Sequence, residues 1–104
     1  MSKGFNQILQ QAKKMQDRLV KLQEEMGDRT VEAQSGGGMV TCVVNGRQEI
    51  VSLRISPEVL EEKDNELLED LITAAVNEGL DRSREMVQEE MSKVTGGMQM
   101  PFGM

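Results

Sequence analysis

The chain is predicted to form an α+β domain with the element order α-β-β-β-α-α, and three observations predict it. An apolar heptad pattern in the first quarter of the chain indicates a long helix. Three short segments rich in β-branched residues follow, separated by Gly-containing turns, which is typical of an antiparallel sheet. Helical spacing of apolar residues then resumes over residues 66–94. The predicted fold is a three-stranded antiparallel sheet with long terminal helices that project from it.

The first helix is predicted over residues 3–26, with Gly27 as the residue that ends it. Its apolar residues follow one another in alternating steps of three and four, which places them on one narrow stripe. They are Phe5, Ile8, Ala12, Met15, Leu19, Leu22 and Met26. Because this stripe is too thin for a globular core to surround it, the helix is expected to project as an arm and to pair with one other helix.

The sheet is predicted from strands over residues 30–34, 39–44 and 49–55. A flexible turn is predicted over residues 35–38. Asn45 and Gly46 are predicted to form a type I′ hairpin turn, because both tolerate positive φ. Both faces of the strands are expected to carry apolar side chains. Such a sheet needs a second cover, which the sheet of another subunit would supply.

Two helices are predicted after the sheet. Ser56 as N-cap and Pro57 as first helical residue indicate a helix of one or two turns. Asp64 or Asn65 is expected to cap the last helix. Its first half is expected to bury a broad face, and its second half to narrow to a stripe. The broad face is Leu67, Leu68, Leu71, Ile72, Ala75 and Val76, and the stripe is Met86, Val87, Met91 and Val94. Gly79 is interpreted either as a site of close packing or as a flex point.

The composition favours an oligomer. The chain has 104 residues and is 38% apolar, with two Phe, no Trp and no Tyr, so nine Met fill a thin core. A single domain is predicted over residues 1–95, and residues 96–104, rich in Gly, Met and Pro, are expected to be a disordered tail. The thin core and the heptad helix together favour a homodimer with twofold symmetry.

The residue types that carry most catalysis are scarce. His is absent, and the acidic residues lie in polar helical runs that are typical of a solvated surface. Cys42 lies among β-branched residues and is expected to be a small buried hydrophobe. Without a Cys/His set a metal site is not expected, and neither is a catalytic residue, a cofactor or a small-molecule substrate. Without a long apolar run or a signal peptide, a cytoplasmic protein with no membrane association is expected.

The net charge of −6 is unevenly distributed. Residues 1–27 carry five basic and three acidic side chains, whereas residues 56–95 carry four basic and twelve acidic ones. This total disfavours nucleic acid as a partner, because phosphate binding usually requires a basic patch. The candidates for phosphate contact are Lys13, Lys14, Arg18 and Lys21 on the first helix, and Arg82 and Arg84, with Lys93 as a further extension, on the last. Ordinary solvation and helical ion pairs, such as Asp17 with Lys21, are the alternative interpretation.

A set of segments in fixed order covers essentially the whole chain. They are GFN at 4–6, AKKMQ at 12–16, LQEE at 22–25, SGGG at 35–38, VVNG at 43–46, ISPEVL at 55–60, LLEDLI at 67–72, AAVN at 74–77 and MSKVTGGM at 91–98. Together they resemble the YbaB/EbfC family of bacterial nucleoid-associated proteins. The resemblance implies a homodimer joined through its sheets, whose helices project like tweezers and bind double-stranded DNA in the cytoplasm. It implies an effect on DNA organisation or gene expression.

The resemblance carries no motif for catalysis, metal binding or DNA contact, so the basic residues above remain a prediction from residue type and spacing. A protein-interaction module is the alternative function. In that interpretation the apolar stripes or the Met-rich tips bind another protein, with no direct DNA contact. A salt titration of duplex binding separates the two, because phosphate contacts weaken as salt rises.

Overall fold

The computed structural model of the protein describes residues 2–94 and has the predicted order of helices and strands. The helices are α1 (Ser2–Asp28), α2 (Pro57–Glu61) and α3 (Asn65–Val94), and the strands are β1 (Thr30–Ser35), β2 (Val40–Asn45) and β3 (Ile50–Ile55). The predicted α+β class is therefore confirmed, with element ends shifted by one or two residues. The expectation of disorder for residues 96–104 lies outside the described residues.

The three strands form an antiparallel meander with β2 in the centre. α3 packs mainly on β1 and β2, and the side chains of β2 beneath it are fully buried. These are Val40, Cys42 and Val44. Leu53 of β3 is the cross-strand partner of Cys42 and shares its face, yet it is 41% exposed. The core thus lies under α3, and the edge strand β3 extends beyond that cover.

The prediction of apolar side chains on both faces of the sheet is wrong. On the face away from α3, Val43 is the apolar residue of β2, and its neighbours there are mostly polar. They are Thr41 on β2, Glu32 and Gln34 on β1, and Ser52 and Arg54 on β3. The physical reason is the two-residue period of a strand, which sends successive side chains of the β-branched segment to opposite faces.

The β2–β3 turn differs from the predicted type I′ turn. Its positive φ, 66°, belongs to Gln48 and not to Asn45 or Gly46. The carbonyl of Asn45 accepts a hydrogen bond from the backbone N–H of Gln48 at 3.1 Å. The side-chain oxygen of Asn45 accepts from the backbone of Arg47 at 2.9 Å and of Glu49 at 3.1 Å. The loop therefore has three residues and ends in a left-handed position, which is the next commonest hairpin connection.

This turn is bound to both long helices. The N–H of Gly46 donates to the carbonyl of Met26 in α1 at 3.0 Å, and a Cβ on Gly46 would overlap that carbonyl oxygen. The hydroxyl of Ser83 in α3 donates to the carbonyl of Asn45 at 2.6 Å and accepts from the side-chain amide of Gln48 at 2.7 Å. Gly46 thus lets the β2–β3 turn approach the end of α1 closely. These contacts fix the position of α1 relative to the sheet.

α3 is continuous, and Gly79 within it is a site of close packing. A Cβ on Gly79 would lie 2.8 Å from Cγ2 of Val44 and 3.6 Å from Sγ of Cys42. The helix is capped by Asp64, whose side chain accepts from the backbone of Leu67 at 3.1 Å. The expectation that Leu67 is buried is wrong, because it lies in the first turn of α3, before the helix reaches the core.

Candidate nucleic-acid interface

α1 has two parts with different surroundings. Leu22 and Met26 are buried against Met86 of α3 in a second apolar cluster, completed by Val31, Val87, Met91 and Val94. Residues 3–18, called the arm from here on, are exposed throughout. The described part of the chain measures 73 × 27 × 16 Å. The expected projecting helix is therefore present. Residues 19–28 of α1, called the base from here on, pair with α3 of the same chain.

Contacts at the two ends of this helix pair show that α3 runs antiparallel to α1. Near the sheet, Met26 contacts Gly46, and the same turn is bound to Ser83. Farther along, Val94 at the end of α3 shares a groove with Arg18 and Lys21. α3 therefore ends level with residues 18–22 of α1, and the arm extends past it.

The four basic candidates on α1 are all exposed: Lys13, Lys14, Arg18 and Lys21. Within residues 2–94 none of them forms an ion pair, and the pairing of Asp17 with Lys21 that the spacing permits is not formed. Lys14, Arg18 and Lys21 lie within about two turns on one side of the helix. The arm, together with Lys21 just after it, thus presents a basic face whose charges are not neutralised by a contacting carboxylate among the described residues.

The basic candidates of α3 have different surroundings. Arg82 pairs with Glu78 at 3.1 Å and donates to the backbone carbonyl of Glu32 at 2.6 Å. Arg84 pairs with Asp81 at 2.9 Å. Both lie in the middle of α3, beyond the groove that α3 forms with the arm. The structure therefore does not bring them together with the basic face of α1.

Lys93 is the basic residue of α3 that the structure places beside the arm. It lines one groove with Arg18 and Lys21, as expected if the end of the last helix lies beside the first. Its ammonium group also contacts Glu90 at 3.2 Å. Spacing within α3 alone does not select Lys93 over Arg82 or Arg84, because the choice depends on where α3 meets α1.

Glu90 connects the base of α1 to α3. Its carboxylate accepts from Arg29 at 2.9 Å as well as from Lys93. The hydrogen bond from Arg29, followed by that from Lys93, lowers the pKa of the Glu90 carboxyl. The group stays ionised at neutral pH and holds the residue that follows α1 against the side of α3.

Arg47 was not singled out by the sequence and lies at the same junction. Its guanidinium group covers Gly27, where a Cβ would lie 2.5 Å from Nε of Arg47. A cation at the last turn of a helix interacts favourably with the carbonyl groups exposed there. No local sequence signal indicates this role, because it arises from the β2–β3 turn packing on α1.

The acidic residues are concentrated at the other end of the molecule. Seven of the twelve acids in residues 56–95 lie in α2, the link after it and the first turns of α3. They are Glu58, Glu61, Glu62, Asp64, Glu66, Glu69 and Asp70. This region lies beside the β1–β2 turn, where the hydroxyl of Ser35 donates to the carbonyl of Leu71. The long axis of the molecule therefore separates the acidic region from the basic arm.

The remaining chemical candidates are few. Cys42 is buried under α3, and burial raises the pKa of its thiol, which disfavours the nucleophilic thiolate. Within residues 2–94, no cluster of three or more His, Cys, Asp or Glu side chains is arranged to hold a metal ion. None of the described helices is both long enough and apolar enough to span a membrane.

Comparison with known proteins places this geometry in a family. The model of the YbaB/EbfC DNA-binding family matches residues 1–98. A nucleoid-associated protein from Syntrophobacter fumaroxidans is 52% identical over 101 residues, covering 97% of this chain and 91% of that protein. Another from Thermoanaerobacter pseudethanolicus is 50% identical, covering 94% of this chain and 88% of that protein.

A solved structure shows the same fold. The crystal structure of the uncharacterized protein HP0035 from Helicobacter pylori matches with a TM-score of 0.62 and 30% identity. The match covers 85% of this chain and 98% of that protein. With the family match extending over nearly all of the sequence, the chain belongs to the YbaB/EbfC DNA-binding family.

Proposed function

We propose that the protein is a nucleoid-associated protein of the bacterial cytoplasm that binds double-stranded DNA as a homodimer. Its helical arms clasp the duplex and contact phosphates, and the binding organises DNA or affects gene expression. Family membership and the names of the relatives support the DNA-binding function. The observation that carries the proposed mechanism is the unpaired basic face of α1, made of Lys14, Arg18 and Lys21 with Lys13 beside it.

The separation of charge along the molecule makes phosphate binding by the arm compatible with a net charge of −6. At physiological ionic strength the interaction between exposed charges is screened beyond about 8 Å. The acidic residues of α2 and early α3 lie much farther than this from the arm, in a molecule 73 Å long. A phosphate at the arm therefore experiences mainly the local charge. The nearby acids Asp17, Glu24 and Glu25 reduce that local charge without eliminating it.

The edge strand β3 supports the proposed homodimer. Ile50, Val51 and Leu53 expose apolar surface at the side of the sheet that α3 leaves uncovered. An exposed apolar edge strand is an unstable arrangement for an isolated chain, because its backbone groups are free to pair with another strand. A second copy joined through the sheets covers this surface and leaves both arms free.

Sedimentation at micromolar concentration tests the homodimer. We expect a folded species of twice the chain mass of 11.6 kDa. Leu53→Lys is expected to shift the equilibrium to monomer, because it places a charge on the proposed contact surface. Thr73→Lys serves as the matched control, since it adds the same charge at an exposed position of α3. A stable folded monomer of the unmodified chain would contradict the homodimer.

A salt titration of duplex binding tests the DNA contact. Each phosphate contacted contributes about −0.9 to the slope of log affinity against log salt, so three to six contacts give about −3 to −5. Lys14→Gln with Arg18→Gln is expected to weaken binding to all sequences alike and to flatten the slope, because phosphate contacts position the protein without reading bases.

Two further variants locate the contact. Arg82→Gln with Arg84→Gln removes the same charge from the middle of α3, where both groups already pair with carboxylates, and a smaller loss is expected. Reversal of Glu61 and Glu62 to Lys, in the acidic region, is expected not to weaken binding. Absence of duplex binding at low salt, or binding indifferent to the arm variant, would favour the protein-interaction module instead.

A further inference from the structure

Methionine side chains are concentrated where α1 is held to α3. Met26, Met86 and Met91 all belong to the apolar cluster at the base of α1. The cluster that α3 forms with the sheet contains no Met among the described residues. A thioether is a soft and oxidisable group, so the two clusters differ in their chemistry as well as in their position.

The direction of the arm depends on the cluster that contains these methionines. Within residues 3–28 the buried side chains are Leu22 and Met26, and the arm contributes none. The other attachments of this end of α1 are polar. The carbonyl of Met26 accepts from the N–H of Gly46, and Arg29, just after α1, pairs with Glu90. A change of polarity inside the cluster therefore acts directly on the contact that orients the arm.

Met91 is the methionine of this cluster that solvent reaches most easily. It is partly exposed, whereas Met26 is 4% exposed and Met86 is 8% exposed. Met91 also lines a cavity of about 580 Å³ between α1, α3 and the β2–β3 turn. Exposed polar side chains such as Gln23 and Arg47 line the same cavity, so water and small solutes can enter it.

Oxidation of the Met91 thioether by hydrogen peroxide would make this contact polar. The O–O bond of the peroxide breaks, an S–O bond forms, and the peroxide leaves as water. Sulfur loses two electrons and the peroxide gains them, so the product is methionine sulfoxide. Burying a polar group without a hydrogen-bond partner costs free energy. The side chains packed around Met91 are Leu, Val and Met, which offer the sulfoxide no donor.

We propose that hydrogen peroxide oxidises Met91 to the sulfoxide and thereby loosens the pairing of α1 with α3, which releases the arm from its fixed direction. The sheet core keeps its packing, because it contains no Met and because burial raises the pKa of the Cys42 thiol, which disfavours the reactive thiolate. The step is reversible, since methionine sulfoxide reductases restore the thioether. Its consequence for DNA, a weaker clasp, rests on the proposed function.

Hydrogen exchange followed by mass spectrometry tests the proposal on the full chain. The protein is treated with hydrogen peroxide, the oxidised residues are mapped, and amide exchange is compared before and after treatment. We expect oxidation of Met91 and exchange about tenfold faster in residues 19–28, with exchange in β2 unchanged. Because this measurement is made without DNA, absence of duplex binding would contradict the proposed function and leave this test intact.

Matched variants assign the effect to Met91. Met91→Leu keeps an apolar side chain of similar volume that peroxide does not oxidise, and exchange in residues 19–28 is expected not to respond to treatment. Met15→Leu is the control, because it removes an exposed methionine of the arm and is expected to keep the full response. Met91→Gln places a polar group in the cluster without peroxide, and it is expected to accelerate exchange in the same residues.

Four outcomes would overturn the proposal. Met91 that stays reduced while the exposed Met15 is oxidised would show that peroxide does not reach the cluster. Oxidised Met91 with unchanged exchange in residues 19–28 would show that the contact tolerates the sulfoxide. Equal acceleration in β2 would show loss of the whole fold and not release of the arm. A full response in Met91→Leu would place the effect at another residue.

Discussion

The arm and the base of α1 share one apolar pattern and have opposite environments. At the base, Leu22 and Met26 are buried between α3 and the β2–β3 turn. In the arm, Phe5 and Ile8 repeat the same spacing and are more than half exposed. The difference is set by α3, whose described residues cover the stripe at Leu22 and Met26 and leave it uncovered in the arm. A heptad pattern therefore shows that a helix has a contact surface, but not how much of it one partner covers.

The same contrast applies to charge. The base is held by pairs such as Arg29 with Glu90, whereas the cations of the arm have no contacting carboxylate among the described residues. Exposed ion pairs contribute little to stability, so the pairs at the base mainly orient the chain. The unpaired cations of the arm remain available to a phosphate. The base thus holds most of the packing contacts of α1, whereas the arm holds cations that are free of contacting carboxylates among the described residues.

Leu→Ala substitution in the base and in the arm is expected to give the largest difference in the free energy of unfolding. Leu22→Ala removes a side chain buried against α3 and is expected to lower the free energy of unfolding by about 2–3 kcal/mol. Leu9→Ala, the same change in the exposed arm, is expected to stay within about 0.5 kcal/mol of the unmodified chain. Urea unfolding at fixed protein concentration measures both. Equal losses would contradict the division of α1 into base and arm.

Replacing two glycines of the helices by Ala is expected to change the free energy of unfolding by smaller amounts, and in opposite directions at the two sites. Gly79→Ala adds a Cβ only 2.8 Å from Cγ2 of Val44, and it is expected to destabilise the fold by about 1 kcal/mol even though Ala is the better helix former. Gly4→Ala meets nothing within 4 Å, and it is expected to stabilise by a few tenths of a kcal/mol. Thermal unfolding compares them. A stabilising Gly79→Ala would show that α3 shifts readily on the sheet.

Much of this fold is predictable because its signals are local. The heptad of α1, the Ser56 and Pro57 start of α2 and the Asp64 cap of α3 each depend on neighbouring residues, and each is confirmed. The type of the β2–β3 turn depends on a distant residue. Residue 46 is Gly because a Cβ there would overlap the carbonyl of Met26, which lies twenty residues away in the sequence. The prediction that Asn45 and Gly46 take positive φ is wrong because it considered the turn alone.

The candidate site divides in the same way. Residue type and helical spacing identify Lys14, Arg18 and Lys21 as one exposed group, and their exposure is as expected. Which basic residue of α3 joins them is decided by the antiparallel packing of α3 on α1, which places Lys93 beside the arm and leaves Arg84 away from it. The roles of all these residues in DNA contact remain predictions, to be tested with the arm variants.

The sequence alone determined the elements, their order and the family, because helix stripes, strand alternation and caps are encoded within a few residues of one another. Only the tertiary structure decided how these elements share their surfaces. It placed α3 over β1 and β2 and left Leu53 exposed, and among the described residues it buried Leu22 and Met26 of α1 while leaving the arm uncovered. The physical reason is that burial depends on contacts between residues far apart in the chain, and such contacts have no signature in the local pattern of either partner.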